Sequence, residues 1–477
     1  MKKMNIRQSF HSKKFKYGGY ATLLAAIVIA AVIVVNLVVD MIPLRFDLSR
    51  NKLYTLSEQT SDIVKGLEDD VTIYYVGEQS SVNSAIEEIV QRYVNGSGHI
   101  RTGTIDPARD PLTAQKYTKS GESLSSGSIV VECGEVYHVI SQYDMYNFTQ
   151  TQSGGYQPES LAVEQRLTSA ILYVTGAEMP VAYVLDGHGE TALDSNIQKQ
   201  MELENFAVQK LSLLGQDKVP EDADLLIVNS PKRDLSKEEE EALRAYLENQ
   251  GKALFLMDVL IEDLPNFQAI FNTYGIQMSN VLVLEGEQGS YVGGNPLYLV
   301  PKYGDHDITN PIKADNLPLF IPGGQAIDIL DTKRNTLTIT PLLTTSDKAF
   351  GRKSDSQVTS LEKQPDDLTG PFQLGLAIED SVYNLAANET YKTRIVVIGN
   401  SNFPSTGFEG GPNLFMNSLN WIFEREESIT IRPKSLTVQP LNITEMQARV
   451  YGFLAMILIP AIILIAGLVV WLRRRHL

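Results

Sequence analysis

Two long apolar runs bracket a chain whose interior alternates short apolar strands with amphipathic helices. Ala21 to Val39 is broken only by Asn36, and Val450 to Leu472 carries no charge. Each reaches the roughly 20 residues that cross a hydrocarbon core of about 30 Å. After the first run, Ser57 ahead of Ile63, Val64 and Leu67 predicts a short capped helix. Val71 to Val76 predicts a strand, Ile86, Ile89, Val90 and Tyr93 the buried face of a helix, and His99 to Ile105 a second strand. Ser128 to Ile140 alternates around Cys133-Gly134, the pattern of a hairpin, and a helix from about Ser160 to Val174 completes a small α/β layer domain.

A second pattern begins at Val181–Leu185, an apolar strand that runs into Asp186-Gly187-His188-Gly189-Glu190. A helix to about Phe206, strands near Val208 to Leu213 and Leu225 to Val228, and a capping box of Ser236 and Glu239 follow. Leu243, Tyr246 and Leu247 mark the buried face of the capped helix. Ala253 to Met257 reads as the next strand and Leu264 to Tyr274 as the next helix. This alternation predicts parallel strands with right-handed crossovers, a doubly wound sheet. Residues 279–369 are less regular and read as an insertion. The sheet resumes at Arg394 to Ile398 and closes with a helix from Asn413 to Phe423.

The expected organisation is a basic tail (1–20), a transmembrane helix (21–39), an N-terminal α/β domain (41–178), a second α/β domain (179–427), a connector (428–449), a transmembrane helix (450–472) and a short tail (473–477). A cleaved signal peptide is the rival reading of the first run. The run is longer than the usual 7–15 apolar residues, and Val38-Val39-Asp40-Met41 is no small-residue cleavage pattern.

Charge sharpens this picture. The 477 residues hold 41 Lys+Arg and 57 Asp+Glu, a net charge of −16. Lys2, Lys3, Arg7, Lys13, Lys14 and Lys16 precede the first run, and Arg473, Arg474 and Arg475 follow the second. Basic flanks remain cytoplasmic, so both termini are expected inside and residues of about 40–449 outside a bacterial cell membrane. Nine of the 41 cations lie in these flanks, which leaves 32 against 57 acids and about −25 on the exterior. So acidic a surface argues against nucleic acid as a partner. The single cysteine excludes an intramolecular disulfide and a multi-cysteine zinc site.

Candidate chemistry centres on Asp186, His188 and Glu190, since ligands of doubly wound sheets bind beyond the carboxyl ends of the strands. The same residues also suit a rigid strand-to-helix turn. Gly399-Asn400-Ser401-Asn402-Phe403 follows the late strand in the same way, so Asn400 and Asn402 join the candidate ligand-binding set. No catalytic residue, metal ligand or cofactor is assigned. The sequence has no Gly-x-Ser-x-Gly elbow, His-Glu-x-x-His helix or Walker-type phosphate loop. His138 and His306 are isolated, Cys133 reads as inert, and the run Glu238 to Glu241 as the solvated start of its helix.

Phe46-Asp-Leu-Ser-Arg-Asn-Lys-Leu-Tyr-Thr-Leu-Ser57 after the first apolar run, Ile105-Asp-Pro107, Asp186-Gly-His-Gly-Glu190, Gly399-Asn-Ser-Asn-Phe403 and the closing apolar run together resemble the GldG-type auxiliary subunits of ABC transport systems. The resemblance covers about residues 20 to 475. It implies that the second domain has a class I glutamine-amidotransferase-like fold without the cysteine nucleophile. It also implies a non-enzymatic, twice-anchored accessory protein whose permease and ATPase partners are separate chains. Relatives often carry Gly-Asp-Ser-Asp-Phe where this chain has Asn400 and Asn402, which removes two carboxylates. They also tend to show His-Pro-Ile-Thr where this chain has His306-Asp-Ile-Thr309. A direct receptor for a sugar, peptide or cell-wall fragment near His188 is the alternative. An extracellular hydrolase would need a nucleophile or metal site that the sequence does not assemble.

Overall fold

The computed structural model describes residues 13–41, 47, 49, 52–77, 83–118, 124–150, 155–176, 179–353, 360–384, 388–423, 433–436, 450 and 452–475. The basic residues Lys2, Lys3 and Arg7, parts of the Phe46 to Ser57 motif, and the 428–449 connector apart from 433–436 lie outside the described residues.

The N-terminal unit is a four-stranded sheet in the order β2 (Ile100–Ile105), β1 (Val71–Val76), β3 (Ile129–Cys133) and β4 (Val136–Ile140). β1 is parallel to β2 and antiparallel to β3. Val71, Ile73 and Tyr75 point into the core at strand period. The helix Ser84–Gly96 lays Ile86, Ile89, Val90 and Tyr93 on the same core. Gly134, at φ +60, closes the hairpin of β3 and β4.

The last helix of this unit begins at Val163, later than the sequence suggests. Ser160 and Leu161 belong instead to β6 (Tyr156–Leu161), which pairs with β5 (Tyr146–Gln150) and with the distant strand Lys434–Ser435. A three-stranded sheet therefore captures residues whose local pattern reads as helix.

The second unit is built on five parallel strands in the order β8 (Ala207–Leu211), β7 (Val181–Leu185), β9 (Leu225–Asn229), β10 (Ala253–Leu256) and the strand Glu389–Ile398. In order of occurrence this is 2-1-3-4-5, a doubly wound arrangement whose topological switch point lies between β7 and β9. Every residue of β9 and β10 is buried, as strands covered on both faces require. Leu225, Ile227, Leu254 and Leu256 face one core with the helices Ser195–Leu203 and Gly410–Ile422. Leu226, Val228, Ala253 and Phe255 face the other with the helices Lys237–Glu248 and Pro265–Thr273.

Residues 276–384 extend this sheet on one side. Gln373–Asn384 pairs antiparallel with Glu389–Ile398, and Gln325–Ile329, β11 (Ile276–Leu284) and Phe350–Lys353 follow outward. The whole sheet has 12 strands among the described residues.

Helices stand at both ends of the described chain. One runs from Lys13 to Met41. A second runs from Ile459 to Arg475, preceded by a π-type turn at Leu454–Leu458. Among the described residues Met456–Arg473 is long and apolar enough to cross a membrane, and the N-terminal helix carries a shorter apolar stretch, Thr22–Val34. Leu23, Ile27, Leu464 and Ile465 leave most of their surface uncovered.

Candidate functional site

Because the five core strands are parallel and in register, residues 185, 229, 256 and 398 end at one edge of the sheet. The loops after them meet there. The loops 186–190 and 399–403 thus lie on the same edge, with the loops after β9 and β10 between them.

Of the five residues singled out from sequence, three are held inside this edge. His188 is 7% exposed. Its Nδ1 lies 3.0 Å from Glu190 Oε1, and its Nε2 lies 3.1 Å from Glu239 Oε2 on the helix after β9. The other oxygen of Glu190 accepts from the backbone N–H groups of Gly187, at 3.0 Å, and His188, at 2.7 Å. The His188 carbonyl accepts from the N–H groups of Lys232 and Arg233. This knot requires two glycines in the left-handed half of backbone space, Gly187 at φ +136 and Gly189 at φ +76. Asn400 is 1% exposed; its Nδ2 donates to the Pro322 carbonyl at 2.8 Å and its Oδ1 accepts from Asn402 N–H at 2.9 Å. Asp186 and Asn402 face solvent, and the Asp186 carboxylate stands 3.8 Å from Lys210 Nζ.

The electrostatics favour an imidazolium between two carboxylates. Hydrogen bonding to Glu190 raises the His188 pKa, burial opposes it, and Glu239 adds to the rise. Burial acts to raise Glu190 and Glu239. For Glu190 the hydrogen bond from His188 together with those from backbone N–H groups outweighs it, and for Glu239 those from Ser236 N–H and then His188 do so, and both settle below the usual carboxylate value. With both ring nitrogens donating, His188 has neither a lone pair for a metal nor a free acceptor for general-base work. Among the described residues no group of three His, Cys, Asp or Glu side chains is placed to hold a metal ion.

A second polar cluster at the same edge was not legible in the sequence. Asp258, just beyond β10, accepts from Ser230 Oγ at 2.6 Å, Ser401 N–H at 2.7 Å and Ser401 Oγ at 2.7 Å. Lys232 Nζ stands 3.6 Å from the same carboxylate and also donates to Ser230 Oγ. Asp258 thereby ties together the loops after β9, β10 and the strand Glu389–Ile398. Ser230 is fully buried at φ +53, a conformation rare for a residue with a Cβ, and its hydrogen bonds hold it there. The available signal was position, since a polar residue directly after each buried parallel strand falls on the carboxyl edge.

The run Glu238 to Glu241 is not simply solvated. Glu239 and Glu240 are 6% and 1% exposed. Glu239 serves His188 and the cap, and Glu240 pairs with Lys237 and Arg244. Cys133 is unpaired in β3, its thiol pushed up by burial and then by Asp69 and Asp70, the opposite of an activated nucleophile. His138 packs edge-on against Tyr173, and His306 against Trp421 with Nδ1 accepting from Ile308 N–H at 3.2 Å.

These features define a class: a small α/β unit joined to a doubly wound unit whose carboxyl edge is laced by its own side chains, with apolar helices at either end. Residues 179–421 match the family described as ABC-type uncharacterized transport system, and the chain belongs to that family. Residues 50–169 match a domain of unknown function, DUF7088. A search of curated proteins finds no match. Among solved structures, the mmIFT52 N-terminal domain overlaps 51% of this chain and 96% of its own at 14% identity, with a TM-score of 0.34. A putative GMP synthase component from Thermoplasma acidophilum overlaps 52% of this chain and 97% of its own at 12% identity, with a TM-score of 0.24.

Proposed function

We propose that the protein is a membrane-anchored, non-catalytic, extracytoplasmic auxiliary component of an ABC-type transport system, of the GldG type, which docks on separate permease and ATPase subunits. The observation that carries this reading is the family match over 179–421. Several features support its finer parts. The apolar helices with basic flanks support anchoring with both termini in the cytoplasm. The strand order 2-1-3-4-5 and the placement of the only cysteine in the other unit support an amidotransferase-like sheet without amidotransferase chemistry. The internal pairing of His188, Glu190 and Glu239 leaves the loop 186–190 with a structural task. Purification of the full chain from its native membrane in mild detergent is expected to bring down a permease and an ATPase. Repeated recovery as a lone protein overturns the reading.

One observation favours direct ligand binding as a second reading. Asn229, at the end of β9 beside the switch point, is 3% exposed, and its Oδ1 has no hydrogen-bond partner. A ligand taken here would offer a donor to Asn229 and meet the solvent-facing Asp186 and Asn402, since His188, Glu190 and Asn400 are already engaged. Ligand-induced thermal stabilisation that disappears in Asp186→Ala and Asn402→Ala, with the fold intact, would establish it.

A further inference from the structure

Two segments from opposite ends of the chain meet on one edge of the N-terminal unit. The first follows the helix Lys13–Met41 and is tied into a knot by Asp47, which accepts from Ser49 N–H at 2.9 Å, Tyr54 N–H at 2.8 Å and Thr55 Oγ1 at 2.9 Å. Ser57 N–H then donates to Glu164 Oε1 at 2.6 Å. The second is the strand Lys434–Ser435, paired with Leu161 and Ser160 of β6, with Leu436 N–H donating to the Glu159 carbonyl at 2.8 Å. Lys434 Nζ lies 2.6 Å from Glu164 Oε2 and donates to the Thr55 carbonyl as well. Leu436 packs on the same core as Tyr54 and Leu56.

Glu164 is therefore a single carboxylate gripped by both segments, one oxygen for each. Its side chain is 3% exposed and that of Lys434 is 16% exposed. A charge pair this deep is held only while both members are present, because either one alone is an uncompensated buried charge.

We infer that Glu164 and Lys434 form a clamp that brings the two membrane-entering segments together, so that the two apolar helices cross the bilayer as a neighbouring pair beneath the N-terminal unit. This rests on the reading of both helices as anchors. Chain length constrains the first side tightly: the six residue steps from Met41 to Asp47 span at most about 21 Å. On the other side, the fourteen steps from Leu436 to Val450 reach up to about 49 Å, so the clamp, rather than the length of the connector, has to set the spacing. The N-terminal unit then sits against the membrane, with the unit 179–423 attached through the contacts of Gln165 with Glu204, at 2.9 Å, and of Ser169 with Leu203 and Asn205.

The test uses the full chain in membranes, with Cys133→Ser as background and Leu37→Cys with Phe453→Cys near the outer ends of the two helices. The thiols are oxidised with copper phenanthroline. The exposed segment 361–366, carrying an engineered protease site, is then cut. An intramolecular disulfide keeps the two halves together on a denaturing gel. We expect most of the protein to be linked, and Lys434→Glu to lower the linked fraction by about fivefold or more, because a second carboxylate facing the buried Glu164 repels the docked strand. Lys434→Gln, which removes the charge without reversing it, is expected to act in the same direction and replaces the reversal if that variant unfolds. Absence of linkage in a protein that resists alkaline carbonate extraction, or linkage unchanged by both Lys434 variants, overturns the clamp while leaving the anchors standing. Release by carbonate overturns the anchor reading, and the clamp with it.

Discussion

The Nε2 of His188 lies 3.1 Å from Oε2 of Glu239, although 51 residues separate them. The same Glu239 oxygen accepts from Ser236 N–H at 2.8 Å, and Glu239 N–H donates to Ser236 Oγ. One carboxylate thus completes a capping box and anchors the loop after a neighbouring strand. The start of the helix after β9 and the turn after β7 are consequently a single hydrogen-bonded body across the switch point.

Stability should fall as pH rises through neutrality. A histidine whose pKa is raised on folding contributes fully below about 6.5, its ordinary value, and loses that contribution as pH climbs through the raised one. Glu409, pushed up to about 7 by burial and by Glu159, acts in the same direction. Glu190 and Glu239, both lowered, contribute above their ordinary value of about 4.3 and are lost at acid pH. In a Glu409→Gln background, the resistance of the full chain to chemical unfolding is expected to fall as pH rises above about 6.5, and His188→Gln to flatten that slope. An unchanged slope would show that the imidazolium pairing contributes nothing.

Ser236→Ala removes only a cap and should cost about 1 kcal/mol. Glu239→Ala should cost about 2–3 kcal/mol, because it also leaves the buried His188 Nε2–H without its acceptor, with Glu190 as the one remaining carboxylate. A double-mutant cycle of His188 and Glu239 is expected to give a coupling of at least about 0.5 kcal/mol. Additive single-variant effects would contradict the shared-carboxylate arrangement.

Asp258→Ala leaves the Ser230 and Ser401 donors without their acceptor at a mostly buried point. We expect a loss of about 2–4 kcal/mol. Amide exchange should accelerate both at 230–232 and at 400–402, loops that no other named side chain joins. Faster exchange at one loop only would show that Asp258 does not bridge them.

Gly399→Ala should be among the most damaging substitutions of one methyl group. A Cβ there meets the Gln325 carbonyl oxygen at 2.1 Å, where the strands are held by Gln325 N–H donating to the Gly399 carbonyl at 2.6 Å. We expect about 3 kcal/mol or more, or failure to fold, against a near-neutral Gly407→Asn control at φ +80 in open space. Thermal unfolding of the two variants side by side checks it.

Much of the fold was written in local pattern. The strand period of Val71 to Val76, the helical spacing of Ile86 to Tyr93, and the fully apolar strands Leu225 to Val228 and Ala253 to Met257 declare themselves within a few residues, because each element must bury one face or both. The parallel second unit followed from the alternation of such elements, and the Ser236 and Glu239 capping box from its own four residues. Local pattern failed at Ser160 and Leu161, where pairing with β5 and Lys434–Ser435 overrode a helical reading. It also failed across 276–384, where strand partners lie far apart in the chain.

By itself, then, the sequence determined the apolar runs, the charge on either side of them, the parallel core and the presence of polar loops after its strands. Only the tertiary structure decided what those loops do. His188 meets Glu239, Asp258 meets Ser401, and Glu164 meets Lys434 because strand order and register bring separate segments side by side. No local period encodes such a meeting. Once the loops are packed out of water, each buried polar group needs a partner, and the fold supplies it from whichever segment lies beside it.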